Sequence, residues 1–515
     1  MLLDARNSQE VPDFLHAPIV IIGAGTVGLF LAMNLVRAKI PVVLIEAGGR
    51  VADTSRSAQT AVSLGKAQNG LALGRAFGLG GTSTLWGGQL AEFDQYDLAS
   101  RGRPWPIEYS ELQRWYEQVY AFFNIRSRAP DVDYRRRFGS ESNSESDVER
   151  FFTYWLPQPN FARLFRADIA SNPLLKIVLN ATANDISFEE SKASSVRACV
   201  SSGRVIQIFG QHFVFASGTV EISRFFLSTQ RRSNVPWKNN QNIGSYFTDH
   251  LGGKIGDVRI MDEKKFRAYF ENCFVSGIKL QPKLRFSSGV RSVTSSGVCG
   301  MFNFQSSLGE NLANLKFLVR AFGAGIAFSK LRTLPADIMS LGSSLLPLAV
   351  RYARDRRIMA FFDRALEFLV QAEQIPMVDS AIRLVDEAPG PDGLYRAAVD
   401  WKINGGEIAN IRDFAHRANA YLQRRNIASI KIDERLLGGD GSMMAQFTDT
   451  YHQCGGMCMS AAASSGMVDS DCRIWGTSNV YVAGAGVLPT SSHANCTLTA
   501  LALTGRLAAL LGSSR

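Results

Sequence analysis

Cysteine is sparse in this chain. There are seven, an odd number scattered from Cys199 to Cys496, so no disulfide framework can be read and the thiols are expected to be reduced. The opening stretch, MLLDARNSQEVPDFLHA, has no apolar core behind a basic start, which argues against a secretory signal. In the middle of the chain the longest uncharged run, Ile338–Val350, is too short to cross a bilayer. A cytoplasmic location is the expectation from these three absences. Histidines number only six and no paired C-x-x-C knuckles accompany them, so no metal site is expected. The net charge is +10, yet the basic residues are not interleaved with a nucleic-acid-binding motif, and no nucleic-acid partner is expected.

Glycine is what the chain has in quantity, 45 residues in a length of 515 that exceeds what one hydrophobic core fills, so two domains and an α/β enzyme are expected. Residues 18–46 read PIVIIGAGTVGLFLAMNLVRAKIPVVLIE. A strand (Ile19–Ile22) runs into Gly23, Gly25 and Gly28, a helical pattern follows, and a second strand (Val42–Ile45) ends in Glu46. The first glycines let the backbone turn and approach a pyrophosphate, Gly28 lets helix and strand pack closely, and the helix N-terminus offers free N–H groups. Glu46 can accept hydrogen bonds from an adenosine ribose and disfavours a 2′-phosphate, which leaves FAD and NAD. A second cluster, GRAFGLGGTSTLWGGQ (74–89), suits a loop lying against something flat or charged.

Two further segments read as strand, small-residue turn and helix: FVFASGTVEISRFFL (213–227) and NVYVAGAGVLPTSSHANCTLTALALTGRLAALL (479–511). With Gly23/Gly25/Gly28 and Glu46, the run Gly78–Gly88, Trp105-Pro-Ile, Ala216-Ser-Gly218 with Glu221, Gly244 with Asp249-His250, and His452-x-x-Gly455-Gly456-x-x-Met459 before VDSDCRIWGTSNVYVAGAGVLPT and Asn495, the chain resembles the glucose–methanol–choline (GMC) oxidoreductases. The resemblance runs from end to end except across about 251–430.

It implies an α/β, two-domain fold with FAD as cofactor. The FAD-binding domain would be Rossmann-like and discontinuous, over 17–95, 160–250 and 431–515. The substrate domain, an antiparallel sheet flanked by helices, would take 96–159 and 251–430. Gly80, Gly81, Thr82, Ser83, Trp86 and Gly87 would lie along the cofactor, Ala183 (in a strand read over 177–186) and Gly218 near it, and Gly484, Ala485 and Thr497 against its ring. Some members attach FAD covalently through a histidine in the second glycine cluster; that position is Leu85 here, which implies non-covalent FAD.

His452 stands in DTYHQCGGMCMS with Cys454 and Cys458, a spacing that lacks metal-binding knuckles. By the resemblance His452 is the catalytic base, taking the proton of an alcohol whose hydride goes to the flavin, and Asn495 holds the alcohol oxygen. His493 stands where the family often has a small residue; contact with substrate, a shared base role and a structural role stay open. His16 reads as part of a leader, His212 as opening a strand and His416 as helical.

The middle of the chain would choose the substrate. Segments 370–387 and 394–403 alternate as strands do, and 405–427 reads as an amphipathic helix. Residues 311–370 hold nine basic residues against four acids, half the net charge, and 313–370 reads as a basic, apolar helical insertion. It could be a packed insertion with a solvated rim, a peripheral membrane contact implying a lipid-linked alcohol, or a basic mouth for an anionic substrate. The expected function is oxidation of an alcohol, sugar or glycoside by a dehydrogenase or oxidase, with the electron acceptor unknown. A non-redox lyase on the same scaffold and a non-catalytic FAD-bound protein are the alternatives.

Overall fold

The computed structural model describes residues 1–513 except 8, 100–102, 128, 141–145, 292–296, 440 and, between 306 and 364, all but 350, 353, 354 and 356. Most of the basic insertion read over 313–370 therefore lies outside the described residues. Its last part is a correction: residues 365–370 belong to a strand, Ala365–Ala372, in which Leu366, Phe368 and Val370 are buried alternately. Their period of two outweighs the helical reading. Among the described residues no helix is long and apolar enough to cross a membrane.

The first glycine turn grows from a parallel sheet. The strand Phe14–Ile22 ends in four buried residues and lies parallel to Val42–Ile45, buried throughout, as expected for strands covered on both faces. Across the sheet the order is Leu2–Asp4, Leu175–Leu179, Val42–Ile45, Phe14–Ile22, Val205–Phe215, Lys192–Val200 and Ala181–Glu189, the last two joining antiparallel. The strand Val205–Phe215 changes neighbour along its length. Residues 205–209 pair with Lys192–Val200, whereas 213–215 take Val480–Val482 in parallel. This exchange carries the C-terminal segment to the first glycine turn: the Ala216 N–H donates to the Ile22 carbonyl at 2.7 Å and the Ala483 N–H to the Phe215 carbonyl at 2.8 Å. The helix Thr26–Arg37 buries nearly its whole length and packs on Thr497–Ser513, which in turn packs on Tyr109–Phe122.

Three local expectations need correcting. The strand read over 177–186 is two strands separated at Asn180, whose φ of 58° is a left-handed turn that asparagine tolerates. His16 lies within the strand Phe14–Ile22 rather than in a leader, and His212 lies inside Val205–Phe215 rather than opening it.

The second sheet is antiparallel, in the order Ala428–Ile432, Leu251–Ile260, Ala365–Ala372, Val298–Gln305, Ile278–Phe286, Val148–Trp155 and Gln89–Leu90. Its two faces differ. Leu284, Phe302, Phe368 and Val370 pack in one core with the helix Gly406–Arg424, whose Ile411, Phe414, Ala415, Ala418 and Leu422 recur at helical spacing. The opposite face, set by the two-residue alternation, carries Gln89, Thr153, Gln281, Lys283, Cys299 and Gln371. A small sheet joins Ala381–Leu384, Ala397–Trp401 and Ala61–Gly65; the first two are shorter than the strands read from the sequence.

Candidate active site

A cavity of about 510 Å³ opens where the strand ends of the parallel sheet meet the glycine segments. Gly23, Gly25, Glu46, Gly81, Thr82, Trp86, Ala183, Gly218, His452, Gly484, Ala485 and Thr497 all line it. Gly28, Gly80, Ser83 and Gly87 do not, and their work is local. A Cβ on Gly28 would lie 1.9 Å from the Gly23 carbonyl oxygen, so helix and turn meet only because the side chain is absent. Ser83 is buried and its Oγ joins the turn to the next helix, donating to the Gly80 carbonyl and accepting from the Phe161 N–H.

Gly25 caps the helix Thr26–Arg37 with no side-chain hydrogen bond at the cap, and its missing Cβ would meet no atom within 4 Å. An open cradle at an uncapped helix N-terminus suits a diphosphate. The Glu46 carboxylate reaches the cavity but is already engaged: it accepts from the Ala24, Gly48 and Gly78 N–H groups at 2.8 Å each. It thereby ties the strand end to both glycine turns, and a ribose would share an oxygen these amides already use. At the other side, Arg75 and Arg224 both grip Glu221, and Arg224 also grips Asp392. All four line the cavity, and sequence reading missed the network. The residues present fit a dinucleotide laid across the two glycine turns.

His452 is held from both sides. Its N–H donates to Asp249 Oδ1 at 2.9 Å, and its Nδ1 meets Thr450 Oγ1 at 2.7 Å. Its ring lies 4.8 Å from that of His250, whose Nε2 meets the Ser491 carbonyl at 3.0 Å. Burial first, then His250 and Lys283, holds the His452 imidazole well below its usual pKa; burial likewise takes His250 down to about 4. Both rings are neutral near pH 7. Two further residues were missed: Asp249, which fixes the loop, and Lys283, on the polar face of the second sheet.

The structure does not bring the other two candidates into the cavity lining. His493 is buried with its ring edge-on to Phe151, and its carbonyl accepts from Gln371 Nε2 at 2.8 Å. Asn495 is half-buried; its neighbours Cys496 and Thr497 line the cavity instead. The thiol of Cys454 donates to the His452 carbonyl at 3.2 Å and that of Cys458 to the Leu488 carbonyl at 3.6 Å. Among the described residues no group of three or more His, Cys, Asp or Glu side chains could hold a metal ion.

Residues 18–168 match the family model for FAD dependent oxidoreductases. Residues 376–504, which contain His452 and the C-terminal lining, match the model for GMC oxidoreductases. The segment that carries His452 is thus of the GMC oxidoreductase type. Solved structures share the fold of this chain over nearly its whole length. Formate oxidase of Aspergillus oryzae superposes with a TM-score of 0.57 at 13% identity, over 96% of this chain and 98% of that one. Pyridoxine 4-oxidase of Mesorbium loti gives 0.57 at 15%, over 96% and 99%. An FAD-dependent oxidoreductase of Chaetomium thermophilum gives 0.57 at 14%, over 96% and 98%. A comparison with curated protein sequences finds no match. The cofactor is FAD, and the two matched segments supply both glycine turns and the His452 loop of one cavity.

Proposed function

We propose that this protein oxidises a CH–OH group of an alcohol or sugar, with His452 as the base that takes the hydroxyl proton. The observation that carries this reading is a neutral imidazole on the cavity wall with one nitrogen committed. In the tautomer whose Nδ1–H donates to Thr450 Oγ1, the lone pair of Nε2 is left for a substrate hydroxyl. Asp249, holding the His452 N–H, fixes where that lone pair points. His250 backs the ring, its centroid 4.8 Å away. FAD, when bound, supplies the acceptor for the hydride that leaves the carbinol carbon. We assign no step to His493 or Asn495. Leu85 lines the cavity where a covalent link would need a nucleophile, which supports releasable FAD.

The test is an anaerobic titration of the FAD-loaded protein with alcohols, sugars and hydroxy acids, read as bleaching of the visible flavin band. One class is expected to bleach the flavin, and His452→Ala to slow bleaching by about 10²–10⁴-fold with flavin content unchanged, as for loss of a general base. Undiminished bleaching in His452→Ala would sink the assignment.

A further inference from the structure

Five cationic side chains are buried among the described residues: Arg75, Arg150, Arg224, Lys283 and Arg291. Each of the four arginines meets a carboxylate within 3.0 Å. Lys283, only 2% exposed, has no carboxylate within ion-pair distance among the described residues. Its one hydrogen bond is a long one, 3.4 Å, to Gln89 Oε1. On the same face Arg285, two residues on, pairs with Glu149 at 2.7 Å, and the less buried Lys279 lies over the Trp155 ring. A buried ammonium without a counter-charge is costly; burial holds the Lys283 pKa below its usual value, and an anionic partner would restore the charge.

The position of Lys283 says where that partner would come from. It stands on the polar face of the second sheet, with Gln281 and Thr153 on the same face and Gln89 joining them through bonds of 2.8 Å. From this face Gln371 reaches the carbonyl of His493. The same loop receives His250 at Ser491, and the His250 ring lies against His452. Phe151, the cross-strand partner of Lys283, sets its ring edge-on to His493 in that same loop, so the Lys283 face of the sheet backs the loop that carries His250 against His452. We propose that Lys283 holds an oxyanion, a carboxylate or a phosphate, carried by the alcohol that His452 deprotonates. The substrate is then an anionic alcohol: a hydroxy acid, an acidic sugar or a phosphorylated one. This rests on the alcohol-oxidation reading above for the reaction, but the binding site can be tested without turnover.

The experiment titrates the oxidised, FAD-loaded protein with acetate, with inorganic phosphate and with neutral acetamide, following the flavin spectrum. At least one anion is expected to perturb the spectrum saturably, and acetamide not to. In Lys283→Met the dissociation constant for that anion should rise at least about tenfold, the loss of one charge-assisted hydrogen bond. Lys283→Arg should retain binding, and Lys283→Gln serves if the methionine variant loses its flavin. Acetate as the ligand identifies a carboxylate substrate, and phosphate alone a phosphorylated one. No response to either anion, or equal affinity in wild type and the neutral variants, overturns the proposal. Anion binding that depends on Lys283 while no alcohol bleaches the flavin would instead count against the oxidation reading alone.

Discussion

Replacing Asp249 with alanine removes an acceptor that three backbone amides share. Asp249 Oδ1 accepts from the N–H groups of His250 at 2.7 Å, His452 at 2.9 Å and Thr450 at 3.2 Å, and the side chain is fully buried. A buried amide left without a partner costs about 1–3 kcal/mol, so the three together amount to roughly 3–6 kcal/mol after some relaxation. That is a large part of the roughly 5–15 kcal/mol by which folded proteins exceed their unfolded chains. Asp249→Asn keeps the Oδ1 acceptor and should cost under about 1 kcal/mol on the same reasoning. Burial, with Asp449 second, pushes the Asp249 carboxyl up to about 8 from an ordinary 3.8. The folded state therefore keeps a proton that the unfolded chain releases, and this contribution to stability falls as pH rises from about 4 to about 8. The asparagine variant lacks that slope and should gain on wild type across the window. Urea unfolding at several pH values, followed by far-ultraviolet circular dichroism and by flavin release, reads both effects. Equal damage from Asn and Ala would refute the argument, because charge rather than the acceptor would then hold the loop.

Other outcomes follow from the same geometry. Gly28→Ala places a Cβ at 1.9 Å from the Gly23 oxygen, so the turn must open, and the purified protein should carry little flavin in absorbance ratios; full occupancy would contradict the packing role. His250, His452 and His493 are all held below their usual pKa by burial, so the unfolded chain takes up protons that the folded one refuses as pH falls through about 6.5. For the same reason the acid limb that His452 contributes to kcat/KM should lie below pH 6.5, and a limb above it would contradict a buried neutral base. Heat denaturation should release the flavin into the supernatant; a yellow pellet over colourless supernatant would show a covalent link. Lys283→Met should raise the melting temperature, since it replaces an unpaired buried charge with an apolar stem; a drop would mean that Lys283 has a structural partner.

Where the sequence could be read, the chemistry lay in consecutive residues. The first turn, from Ile19 to Glu46, is one strand, one helix and one strand, and each piece formed with its glycines in place. Val42–Ile45 has the bounds its apolar run predicts. What escaped depends on pairings between distant segments. The Arg75–Glu221–Arg224–Asp392 network joins residues more than 300 positions apart. Asp249 acquires its role only because the loop at 450–452 folds against it. Lys283 was visible as one of three basic residues in the alternating stretch IKLQPKLRF, but that it is buried while the others are not depends on what covers that part of the strand. His493 and Asn495 stand near the cavity in sequence, yet a residue's neighbours along the chain do not fix which way it turns, and Cys496 and Thr497 take the wall instead.

The exchange of partners along Val205–Phe215 has a consequence for how the protein is made. One half of that strand waits for Val480–Val482, and the wall of the cofactor cavity is finished by Thr497 and Ala500. During synthesis the N-terminal turn emerges first but stays open for more than 400 residues, until the last strand slots in beside it. Flavin capture is therefore a late event in biogenesis, and ribosome-bound chains that stop before residue 480 should hold none.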